Sequence, residues 1–320
     1  VNGPADADNF NCGWQADPLY RELFDYVRPY ADDFAGWAVH GQNRFLMIPP
    51  AAIRNECVED EPDHKRIRIT ITTPHGDLVG LREARRGEAT SWWVKPPVEN
   101  VDELRMLADV PFHVDDDLIR RSKASYHETV KQHGADWYLQ SGVSSPIVCI
   151  SNTMPFELFL ELSLTESALF HDLCAEVTRR ILAILERVFD EPMDTVMNFG
   201  GSEQCTPPMM APQAYQEYVV PYDGQIVEFF KQHDVLTKFH CHGKVRQALQ
   251  DMVDLGVDAT DPVEPPPGGD VTYAEARAIA GDKLTLMGNL EWDRLEAADP
   301  DEIRAHIEEI LSHGDHPLIL

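Results

Sequence analysis

The chain has 320 residues, with 27 Lys or Arg against 55 Asp or Glu, a formal charge of −28. So acidic a surface repels nucleic acid and anionic membrane faces, and neither is expected as a partner. No apolar run approaches the ~18 residues needed to span a bilayer, and no signal-peptide pattern opens the chain.

Residues 17–30 space their apolar side chains three and four apart, which predicts an amphipathic helix. A strand near residue 36 gives way to irregular chain up to 48. The run Arg66-Ile-Arg-Ile-Thr-Ile-Thr72 alternates as a half-buried strand does. A turn at 73–77, a strand from Leu78 and a third strand at Trp92-Trp93-Val94 complete an antiparallel excursion over 66–94. Beyond it the rhythm changes. Helices are predicted at 101–108, 115–134, 165–190, 211–233, 244–254, 273–280 and 301–313. Between and after them fall short apolar runs at 146–150, 194–199, 235–241, 257–261, 284–288 and 317–320.

Short apolar strands alternating with helices predict a parallel sheet with crossover helices, buried on both faces. Six such strands plus the one near 36 approach the eight of a (β/α)8 TIM barrel. One domain over 1–320 is expected, with both ends incomplete. An open doubly wound sheet is the alternative, but no glycine-rich phosphate fingerprint follows an early strand. Cys12, Cys57, Cys149, Cys174, Cys205 and Cys241 show no repeated spacing, which suits a reducing, cytoplasmic setting rather than a disulfide framework.

In a barrel, active-site residues project from the C-terminal ends of strands. There the sequence places Glu203 and Cys205, then His240-Cys241-His242-Gly243, then Asp261 and Glu264, then Asn289 and Glu291. His240 and His242 are two apart, so on an extended segment both imidazoles face one way. Two imidazoles suit zinc, and Glu203 or Cys205 from the preceding strand would close the shell. A polar rim that binds substrate directly is the plainer reading. Asp261 and Glu264 flank a Pro-rich loop as acid/base or orienting groups. Glu203 is a candidate base, and Asn289 and Glu291 are candidates for substrate binding. Trp92-Trp93 would cap a pocket or join a core.

The stretches Met210–Tyr215, Pro221-Tyr222, His240–Gly243, Leu255–Asp258 with Asp261-Pro262, and Gly281–Asn289 together resemble the uroporphyrinogen decarboxylase superfamily, which includes corrinoid-linked methyltransferases. The resemblance implies a barrel with its site at the C-terminal mouth. The Arg-rich N-terminal segment of true uroporphyrinogen decarboxylases is not found here, which disfavours a porphyrinogen octacarboxylate. In the methyltransferase branch zinc is held by a His-x-Cys motif, and His242 stands where that Cys would be. The resemblance therefore implies a zinc-dependent enzyme that demethylates a small substrate onto a corrinoid carried by a partner protein. With a thiolate lost, the ion suits polarising an oxygen. A metal-free decarboxylase using His240 and Asp261, and a non-catalytic ligand-binding barrel, are the alternatives. A homodimer is expected by the same resemblance.

Overall fold

In a computed structural model, residues 9–134, 136–290, 292–313 and 318–319 are described. Seven strands form one parallel sheet: β1 (Phe34–Gly36), β6 (Tyr138–Ser144), β7 (Val196–Gly200), β8 (Leu236–His240), β9 (Ala259–Asp261), β10 (Thr285–Met287) and β11 (Leu318–Ile319). They lie side by side in chain order, so each crossover adds the next strand along a curled, half-barrel sheet. Between them run β2 (Ile53–Asp60), β3 (His64–Thr73), β4 (Gly76–Arg85) and β5 (Ser91–Lys95), a four-stranded antiparallel meander. The expected eight-stranded closure is not seen: among the described residues β1 and β11 are the sheet's two edges.

Helices accompany both sheets, and several of them pack on the outer face of the parallel one. They are α1 (Pro18–Val27), α2 (Val101–Ala108), α3 (Asp116–His133), α4 (Pro146–Ser151), α5 (Phe156–Thr165), α6 (Ser167–Val188), α7 (Gln213–Tyr218), α8 (Val220–Gln232), α9 (Arg246–Leu255), α10 (Tyr273–Ala280), α11 (Trp292–Ala297) and α12 (Pro300–Leu311). Local chemistry sets many of their ends. Asn100 caps α2, capping boxes open α10 (Thr272 with Glu275) and α12 (Asp299 with Glu302), and Gly256, at φ +72°, ends α9. The segment expected as one helix over 211–233 is broken at Val219, because Pro221 has no N–H to continue the ladder.

One strand assignment is corrected. The apolar run 146–150 is helix α4, started by Pro146 and buried on every side, and the strand precedes it at Tyr138–Ser144. An apolar run without alternation fits a buried helix as well as a buried strand. The side chains of β6 alternate, with Leu139, Ser141 and Val143 buried.

The sheet's two faces differ in chemistry. Met197, Phe199, Thr237 and Phe239 face the helices, with the Phe199 ring 4.6 Å from Phe239 and 6.1 Å from Phe230 of α8. The alternate positions face the hollow of the sheet and are mostly polar. Strand register stacks them in layers. Gly142, Asn198, Lys238 and Ala259 form one, and Ser144, Gly200, His240 and Asp261 the next, at the C-terminal rim.

Candidate active site

β8 ends at His240, and β9 ends opposite it at Asp261. Parallel register therefore puts an imidazole beside a carboxylate. His240 Nδ1 lies 3.4 Å from Asp261 Oδ1, an ionic contact that leaves Oδ1 buried without a directed hydrogen bond. The other oxygen, Oδ2, accepts from Lys238 Nζ at 3.1 Å, one layer deeper. The Asp261 carboxylate raises the His240 imidazole above its ordinary value, against the opposing pull of burial. Burial pushes Asp261 up, but contacts from His240 and Lys238 outweigh it and hold the carboxyl below its usual range.

Two residues on, His242 makes a second pair. Its Nδ1 lies 2.6 Å from Glu264 Oε1, while Glu264 Oε2 accepts from the Gly243 N–H at 2.5 Å. The glutamate thus fixes both the ring and the turn that carries it. The two imidazoles face one another edge-on with centroids 4.7 Å apart, while Cys241 between them is fully buried on the opposite side. This is the placement that the i, i+2 spacing predicts. In both rings Nδ1 is engaged by an acid, so Nε2 remains the available nitrogen, with tautomers that follow from the acid partners.

Glu203 lies in a 3-10 turn (Glu203–Cys205) just beyond β7, and its Oε2 is buried without a hydrogen-bond partner. Its charge is felt at His240. Cys205 is fully buried, its thiol pushed well up by desolvation. Asn289 is buried and its side-chain N–H donates to the Val263 carbonyl at 2.6 Å, so it braces the loop after β9. Glu291 lies outside the described residues. Of the sequence-predicted positions, the structure brings together His240, His242, Asp261 and Glu264. Among the described residues no three His, Cys, Asp or Glu side chains are gathered around a common point that would hold a metal ion.

Three basic residues at this rim escaped the sequence reading. Lys238 is buried beneath Asp261, and its alternation with His240 along β8 was the available signal. Arg44, from the irregular chain after β1, reaches Ser144 Oγ at 3.3 Å. Arg82 of β4 stacks over Trp93 at 4.1 Å and donates to Asn152 Oδ1 at 2.9 Å. Trp93 donates to the Asn152 carbonyl at 2.9 Å, while Trp92 is exposed.

Residues 87–320 match the model of the uroporphyrinogen decarboxylase (URO-D) family, and the chain belongs to that family. No curated protein matches it significantly. Among solved structures it is similar to a methyltransferase from Methanosarcina mazei, with 18% identity and a TM-score of 0.54 over 72% of this chain and 65% of that one. The chain thus spans less than two thirds of that protein, and the likeness is one of fold. A weaker likeness, with 15% identity and a TM-score of 0.42 over 66% of this chain and 63% of the other, is to a protein from Listeria monocytogenes titled a vitamin-B12 independent methionine synthase. No helix among the described residues is long and apolar enough to cross a membrane.

Proposed function

We propose that the chain is a URO-D family enzyme that removes a methyl group from a small methylated substrate at the C-terminal rim of the parallel sheet, for transfer to a corrinoid carried by a partner protein. The observation that carries this reading is the pair of imidazoles 4.7 Å apart, each engaged through Nδ1 by its own carboxylate. Histidines that ligate zinc characteristically give their second nitrogen to a carboxylate in this way. The donor types at His240 and His242 suit zinc, and Glu203, with its orphaned buried oxygen, would have to move toward the two rings to complete a site, because no three donors among the described residues converge as they stand. Cys205, neutral and sealed in the core, does not fit. When bound, zinc supplies Lewis acidity toward the oxygen that carries the methyl group. The chain's own residues do the rest: Asp261 and Glu264 fix the rings, and Lys238 balances Asp261 from below.

A second reading is favoured by one observation. Asp261 favours the protonated form of the His240 imidazole, and a proton donor there suits a metal-free decarboxylase of a small acid. The two are separated by metal content and product. The methyl-transfer reading expects about one zinc per chain, lost in His240→Ala/His242→Ala, and a roughly 10–100-fold weaker zinc affinity in Glu264→Gln. Methylation of an added corrinoid by a methoxylated substrate supports it. Zinc-free, fully active protein that releases carbon dioxide from the same substrates overturns it.

A further inference from the structure

The antiparallel sheet arranges its arginines unequally. On its outer face Arg66 and Arg85 pair with Glu83, and Arg68 with Glu56. Arg82 is on the other face, opposite Ile67 and in line with Ile69 and Ile71 through the same register. Among the described residues no carboxylate meets it there. It has Asn152 Oδ1, the Trp93 ring and a buried Nε without a partner. Burial, and then the nearby Arg44 charge, weaken its hold on its proton. Arg44 likewise has no carboxylate partner among the described residues; its guanidinium meets only the Ser144 hydroxyl. Asn152 joins the two, accepting from Arg82 and donating to the Arg44 carbonyl at 3.4 Å. Two adjacent cations without acids, in a chain of charge −28, are a positive spot that attracts an anion from outside.

The spot is built rather than incidental. Leu46 and Met47, just beyond Arg44, take φ of +50° and +53°, a backbone region that residues with a side chain rarely adopt. Their burial holds them there, as does Arg180 of α6, whose guanidinium is buried and donates to the Leu46 and Val110 carbonyls at 3.0 and 3.3 Å. The spot also faces the candidate site. A Cβ added at Gly200 would lie 3.3 Å from Arg44 Nη2, and Gly200 is the register neighbour of His240. Arg44 therefore occupies the rim layer one strand from the imidazole.

We propose that Arg44 and Arg82 receive the carboxylate of a small organic acid, so that the substrate handled beside His240 is an anion. This rests on the reading of that rim as an active site and adds the substrate's class. A carboxylate matches the planar guanidinium fork. A phosphate dianion is disfavoured because Glu203, Asp261 and Glu264 line the same rim and Lys238 is already committed to Asp261.

The test is calorimetric titration of the full chain with acetate, benzoate and 4-methoxybenzoate, each against its neutral amide and against inorganic phosphate. At least one acid should bind tenfold or more tighter than its amide. Arg44→Gln, an exposed position, should weaken that acid at least tenfold while leaving amide binding unchanged. Arg82→Gln should do the same, and Arg304→Gln on α12 should change nothing. Wild-type protein that shows no preference for any acid over its amide overturns the proposal. So does an Arg44→Gln variant with a native circular dichroism spectrum and full acid affinity, or phosphate binding as tightly as the best acid. Because the titration needs neither turnover nor zinc, its outcome is separate from that of the methyl-transfer assay.

Discussion

The two sheets dispose their charges in opposite ways. At the rim of the parallel sheet, Lys238 and Asp261 are paired in a partly dry hollow, with His240 and His242 at its more open edge. On the outer face of the antiparallel sheet the pairs stand in water, as Arg68 and Glu56 do with about half of each side chain exposed. The same ion types therefore carry different energies. In the hollow a charge that loses its partner cannot recover hydration, whereas on the outer face water replaces it.

The sharpest way to break this comparison is Asp261→Asn. Lys238, with only 9% of its side chain exposed, would lose its counter-charge. The expected cost is about 3–5 kcal/mol in urea unfolding, with much of it regained in Lys238→Met/Asp261→Asn. A loss below about 1 kcal/mol would mean that water reaches Lys238 and that the hollow is no drier than the outer face.

A smaller effect comes from just behind the rim. Asp223 of α8 is fully buried, accepts from the Ser145 hydroxyl at 2.7 Å and has an orphaned Oδ1, and burial raises its carboxyl to about 7. The folded state therefore holds this proton more tightly than the unfolded chain, whose Asp ionises near 3.9. Between those values the native state carries the extra proton, so stability falls as pH rises. From pH 5 to 8 the loss assigned to Asp223 is about 2–3 kcal/mol. Chemical denaturation at both pH values should show it, and Asp223→Asn should flatten the slope. An unchanged slope in that variant would remove Asp223 from the account. The smallest effect belongs to the outer face: Arg68→Gln should cost less than about 1 kcal/mol and vanish in high salt.

Much of this layout is legible in the sequence. Alternation exposed β3, the turn chemistry at 73–77 implied its return as β4, and helical spacing exposed most of the crossover helices. The i, i+2 spacing of His240 and His242 foretold that both rings would share a side, with Cys241 opposite. What escaped had physical reasons. β2 is an edge strand, and most of its Ile53-Arg-Asn-Glu-Cys-Val-Glu-Asp60 is exposed, so it lacks the apolar alternation that marks a half-buried strand. Pro146–Ile150 is apolar throughout because a short helix is buried on all sides. The pairing of Arg44, from the irregular chain after β1, with Arg82 of β4 is written in no local pattern; it emerges only when Asn152 brings the two together. Glu203 was visible as a carboxylate at a strand end, but its orphaned oxygen is a property of packing.

Gly200 has a consequence of its own. Its φ lies outside the left-handed range, so alanine suits its backbone, and the one atom a methyl would crowd is Arg44 Nη2. This hydrogen-for-methyl position is a notch in the strand, and a side chain from a distant loop rests in it. Filling the notch would nudge the guanidinium while sparing the strand itself. If the rim takes an acid, preference for one acid over another would thereby be adjustable at a position whose part in the sheet is played by its backbone alone.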